Sequence, residues 1–131
     1  MRVRWEPNGV EVEATATDLA EMAREIKALA TGRGSGPVER STDTSGSPAP
    51  YVRFLRNLRV DVSTGPVLVS EAPPGTLSVV GESGSLERLA SFFDFALDEA
   101  KGAHHHYEYF DGNPYVAIGS VPLVISARTD G

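Results

Sequence analysis

RVRWEPNGVEVEATATDLAEMAREIKALATG, residues 2–32, changes its hydrophobic period once, and that change decides the fold class. Val3 and Trp5 alternate with Arg2 and Arg4, and Pro7-Asn8-Gly9 supplies turn chemistry, so residues 2–6 read as the first arm of a hairpin. In the second arm Val10, Val12, Ala14 and Ala16 share one face and Glu11, Glu13 and Thr15 the other, the two-residue period of a half-buried strand. The period then lengthens. Leu19, Met22, Ile26 and Leu29 recur at helical spacing after Asp18 and Glu21, which read as a capping box, and Gly32 stops the helix. The opposite helix face carries Glu21, Arg24, Glu25 and Lys27 in mixed sign, as a solvated face does.

The second half repeats this grammar. Thr64-Gly65-Pro66 leads into PVLVSE, Pro73-Pro74-Gly75 turns the chain, and TLSVV follows; with YVRFLRNLRVDV before them these predict three strands in a meander. Within YVRFLRNLRVDV the strand pattern puts Val52, Phe54, Leu58, Val60 and Val62 on one face, with Arg56 as a bulge. Ser85 is the expected N-cap of a second helix, whose buried stripe is Leu86, Leu89, Phe93, Ala96, Leu97 and Ala100, ending before Gly102. The two halves echo each other as strand, strand, helix, strand. The expectation is an α+β fold: a single, mainly antiparallel sheet with two helices packed on one face and a possible duplicated strand-strand-helix-strand unit.

Length and composition bound the rest. A chain of 131 residues with 40% hydrophobic side chains is expected to form a single domain over 1–131, with residues 31–50, rich in Gly, Ser, Thr and Pro, as a flexible loop. Gly32-Arg33-Gly34-Ser35-Gly36 follows a helix and opens none, so it is not the phosphate cradle its glycines suggest. The absence of cysteine removes disulfides, thiolate nucleophiles and Cys-type zinc sites. A net charge of −6 argues against general nucleic-acid binding, and Arg53, Arg56 and Arg59 read as a basic strand face that keeps an edge soluble. No apolar run reaches the length of a membrane span and the first residues lack a signal peptide's apolar core, so a cytoplasmic location is expected.

The chemistry-bearing side chains gather in HHHYEYF, residues 104–110, bounded by Asp111-Gly112 and read as one arm of a hairpin whose return lies within YVAIGSVPLVISA. Alternation places His104, His106, Glu108 and Phe110 on one face and His105, Tyr107 and Tyr109 on the other. Two imidazoles and a carboxylate suit zinc or iron, which makes His104, His106 and Glu108 the metal alternative. Alternate strand residues stand roughly 6.5–7 Å apart, however, so three in succession rarely converge on one ion. No nucleophile or orienting partner accompanies the histidines, no G-x-S-x-G elbow exists, and Ser120 reads as a strand-end serine, so no catalytic residue is assigned. A rigid face of imidazoles and aromatics suits protein recognition instead. His104, His106, Glu108, Phe110, Asp111 and Tyr115 are the candidate binding residues, with no cofactor.

HHHYEYFDGNPYVAIGSVPLVI also resembles the C-terminal His-x-His strand and Ser-x-x-Leu-Val-Ile strand of a family of bacterial polymorphic-toxin immunity proteins, immunity protein 32, at His104, His106, Glu108, Ser120, Leu123, Val124 and Ile125. The resemblance implies a small cytoplasmic α+β protein that binds and neutralises a cognate toxin domain without chemistry of its own. Glu11, Glu13, Glu108 and Asp111 would then be the carboxylates offered to a basic cleft. Two other readings stand beside it: a small metal-binding enzyme or sensor, and a structural homo-oligomer, such as a homodimer joined through a sheet edge.

Overall fold

The hydrophobic stripes of both halves meet in one core, in a computed structural model that describes residues 1–34, 36–95 and 103–128. The elements are β1 (Arg2–Glu6), β2 (Gly9–Thr15), α1 (Ala16–Ala30), β3 (Val38–Ser41), β4 (Arg53–Leu55), β5 (Asn57–Val62), β6 (Leu68–Glu71), β7 (Thr76–Gly81), α2 (Ser83–Ser91), β8 (His104–Tyr107) and β9 (Leu123–Arg128). Among the described residues they make two mixed sheets, ordered β4-β1-β2-β9-β8 and β3-β5-β7-β6, where a single mainly antiparallel sheet was expected. The α+β class holds; the sheet count does not.

The reason lies in where each helix delivers the chain. The hairpin β1-β2 is followed by α1, and the chain then enters the other sheet, where β3 and β5 pair antiparallel. The hairpin β6-β7 is followed by α2, and the chain crosses back, where β8 and β9 pair antiparallel. The exchange is sealed by two parallel pairings, β2 with β9 and β5 with β7. Apart from β4, which falls between β3 and β5 in the chain and has no strand counterpart between β8 and β9, the two halves share their element order and pairing senses, and each completes the sheet that the other begins. The expected meander fails for the same reason, because β7 lies between β5 and β6. α1 packs on α2 and touches β2 and β9 of one sheet and β3 and β5 of the other, so it does not lie on a single sheet face.

Local signals explain where the elements begin. Thr15, not Asp18, caps α1: its Oγ1 accepts the Asp18 N–H at 3.1 Å, and Asp18 sits in the first turn, where a carboxylate favours the helix dipole. The helix closes as expected at Gly32, whose φ of +75° allows the Arg33 N–H to reach the Ala28 carbonyl at 2.8 Å and the Gly32 N–H that of Leu29 at 3.2 Å. In α2 the N-cap is Glu82, and Ser85 is buried one turn in, its hydroxyl turned back toward the Glu82 carboxylate. Leu86, Leu89 and Phe93 are buried as the stripe predicts; Ala96, Leu97, Ala100 and Gly102 lie outside the described residues.

Arg56 sits in a bulge-like irregularity, as expected: its N–H and that of Asn57 both donate to the Gly75 carbonyl, at 2.8 and 3.2 Å. It is exposed at the point where the chain leaves β4 in one sheet for β5 in the other, and the inward face slips there from Leu55 to Leu58 and Val60. Val52 and Val62, expected inside, are consequently exposed. Within the Gly-, Ser- and Pro-rich stretch 31–50, Val38–Ser41 form β3, anchored by the buried Val38 opposite Val60.

Chain from the long connections flanks β1 and β6. β4 lies along β1, and residues 115–121 lie along β6, where Val67 N–H donates to the Tyr115 carbonyl and Ala117 N–H to the Val67 carbonyl, each at 2.8 Å. Gly81, at the end of β7, faces this seam: a Cβ there would stand 2.9 Å from the Val67 Cα. Because the Val67 backbone is pinned on both sides, Gly81→Ala is expected to destabilise the protein by about 1–3 kcal/mol in urea unfolding, whereas Gly84→Ala, helical and open, should leave stability unchanged or raise it by up to about 1 kcal/mol.

Candidate functional site

Three phenylalanines at the end of α2 set the position of the histidine strand. Phe93 and Phe95 are buried, and Phe92 is half-buried between core and surface. His105 stacks on Phe95, with ring centroids 4.1 Å apart and planes within 7°, while its Nδ1 lies 2.8 Å from the Phe92 carbonyl. A carbonyl only accepts, so His105 Nδ1 carries the proton. Tyr107 is buried edge-on against Phe92 at 4.9 Å. His105 and Tyr107 are thus inward residues. His104 and His106 point the other way, exposed, with ring centroids 5.1 Å apart in an edge-to-face arrangement.

The partner of β8 is β9, as expected, but the connection is not a tight hairpin. Asp111-Gly112 does turn the chain, with Gly112 at a φ of +87° and the Asn113 N–H donating to the Phe110 carbonyl at 3.0 Å. The chain then runs along β6 of the other sheet before returning as β9. Ser120 is structural: its hydroxyl donates to the Val67 carbonyl and accepts the Val69 N–H, each at 3.0 Å. Leu123 and Ile125 are core residues, and Val124 is half-buried.

This detour assembles a shallow depression of about 190 Å³ lined by Arg88, Phe92, His106, Tyr107, Glu108, Phe110, Asn113 and Tyr115. Of the candidate binding residues it gathers His106, Glu108, Phe110 and Tyr115; His104 stands beside His106, and Asp111 is exposed at the turn without lining the depression. Phe110 is 64% exposed and Tyr115 38%, with Ile118 at 78% beyond them. The Arg88 guanidinium lies 4.7 Å over the Tyr115 ring. Asn113 Oδ1 accepts the Tyr115 N–H at 3.0 Å and fixes the turn. Arg88, Phe92 and Asn113 escaped sequence reasoning. Only Asn113 carried a local signal, in Asp-Gly-Asn-Pro; the other two arrive from a helix that no spacing rule connects to β8.

Burial lifts the Tyr107 phenol to about 12, opposed weakly by the Arg88 charge. The folded state therefore prefers neutral Tyr107, so this contribution to stability is complete below pH about 10, the unfolded value, and is lost as pH rises toward 12. Wild type should lose on the order of 2 kcal/mol more than Tyr107→Phe between pH 9 and pH 12, measured by urea unfolding of both proteins.

Several charges elsewhere are matched within the fold. Arg4 pairs with Glu11 at 2.7 Å and Glu13 at 3.4 Å, and the Ser126 hydroxyl donates to Glu11, so two of the four expected acidic contacts already serve their own sheet. Arg53 pairs with Glu71, and its guanidinium, with the Gly75 N–H, holds that carboxyl below its usual range. Arg59 pairs with Glu39 and Asp61. Among the described residues no three His, Asp or Glu side chains are placed to hold one ion, so His104, His106 and Glu108 do not form the three-ligand set. No described helix is long and apolar enough to cross a membrane.

Residues 76–127, from β7 through β9 and including the whole depression, match the family model described as Immunity protein 32. The resemblance seen in the last strands thus extends upstream through α2. No curated protein and no solved structure matches the chain.

Proposed function

We propose, from the immunity protein 32 match over residues 76–127, that this protein binds and neutralises a bacterial toxin domain through the face built by α2, β8 and the 108–115 turn. That match is the observation on which the reading rests. The composition of the face supports it: Phe110 and Tyr115 expose aromatic surface beside Arg88, His106 and Glu108, the mixture of anchors and polar rim that hot spots favour. The backing is rigid, because His105, Tyr107 and Tyr115 are held from behind by Phe92, Phe95, Arg88 and Asn113, so little side-chain freedom is lost on binding. Residues 1–131 act as one domain in the cytoplasm, since a single core cluster joins both sheets, and inhibition comes from occlusion without catalysis.

The test is co-expression. A toxin domain encoded beside this chain should arrest growth alone, and growth should return with the intact chain, with the two proteins co-purifying at equal stoichiometry. Continued arrest with no complex by size-exclusion chromatography would reject the proposal.

A further inference from the structure

We infer that His104 and His106 form a two-imidazole chelate for a divalent transition-metal ion of the copper, nickel and zinc group. They are residues i and i+2 of β8, so both project from one face. Their ring centroids are 5.1 Å apart, closer than the roughly 6.5–7 Å between alternate strand positions, so the side chains already lean together. A metal–nitrogen bond of about 2.0–2.1 Å with the ring centre about 1.1 Å behind the nitrogen gives each arm a reach of about 3 Å, so two centroids up to about 6 Å apart can share an ion. The observed spacing falls inside that limit. Both rings are exposed, so the small rotations that bring the nitrogens to a common point meet no packing resistance.

His105 separates the pair from the core and takes no part. Its ring is stacked on Phe95 and its Nδ1–H is committed to the Phe92 carbonyl. Glu108 supplies no third ligand, since no three-residue set exists among the described residues, so the remaining coordination positions stay open to water. Imidazole favours copper, nickel and zinc over magnesium and calcium, and two ligands without a carboxylate give micromolar rather than nanomolar binding, strongest for Cu²⁺. His106 also lines the face proposed to bind a toxin, but the metal is titrated on the chain alone, so failure of this inference and failure of that reading are read separately.

The experiment is isothermal titration of the tag-free full chain with CuCl₂, NiCl₂ and ZnCl₂ at pH 7.5, beside His104→Ala, His106→Ala and His105→Asn. One Cu²⁺ per chain is expected, with Ni²⁺ weaker, and either His104→Ala or His106→Ala should lower Cu²⁺ affinity at least about ten-fold while His105→Asn keeps it. Circular dichroism melts of the two alanine variants should coincide with wild type, as both side chains are exposed. Absence of saturable Cu²⁺ binding, or binding that survives both alanine substitutions, overturns the inference.

Discussion

Replacing Phe93 with alanine is expected to destabilise the protein by about 3–5 kcal/mol, read as a shift of the urea midpoint at unchanged slope. Phe93 is 1% exposed and is the largest of the fully buried side chains. It sits just past α2, where the Phe92 and Phe93 N–H groups donate to the Leu89 and Ala90 carbonyls and carry the helical turn onward. The cavity it would leave is bounded by a core that draws on both sheets, so neither sheet can close it without dragging the other. Phe92→Ala, half-buried, should cost less than half as much, yet it removes the edge-on partner of Tyr107 and loosens the strand above it. A Phe93→Ala cost under about 1 kcal/mol would show that the α2 end is not the anchor of this core.

The second large effect is on recognition. On the proposed function, Phe110→Ala and Tyr115→Ala should each weaken binding to the toxin domain by about 2 kcal/mol or more, roughly thirty-fold in Kd, with melting temperatures close to wild type. Both rings are largely or partly exposed, so the fold does not depend on them, while their burial against a partner would remove aromatic area from water. Val52→Ala is the control. It is 66% exposed too, but it precedes β4, at the edge of the five-stranded sheet opposite β8. Surface titration by calorimetry or interferometry would separate the outcomes: loss at Val52 with none at Phe110 and Tyr115 would move the interface to the other edge.

The histidine run shows how far local pattern carries. Alternation alone sorted His104 and His106 from His105 and Tyr107, and the structure keeps that division because a strand can only point its side chains two ways. The same alternation groups Phe110 with the exposed pair and Tyr109 with Tyr107, but it could not show which of the two faces would turn to the core, nor that Arg88 would cover Tyr115. The helix starts were misplaced by one turn or less, since Thr15 and Asp18, or Glu82 and Ser85, are both plausible caps when only residue type is read.

What the sequence determined by itself is the set of local alternatives: the β1-β2 turn, the α1 stripe closed at Gly32, the inward faces of most strands and the two faces of β8. These depend on neighbours a few residues away, whose periodicity is written in the chain. Tertiary structure alone decided that Val10 lies beside Leu123, that Leu58 lies beside Leu77, and that the chain changes sheets at Arg56. A buried strand face is satisfied by any complementary neighbour, so its period leaves the partner open. Only the summed burial of both halves, each completing the other's sheet, selects one arrangement.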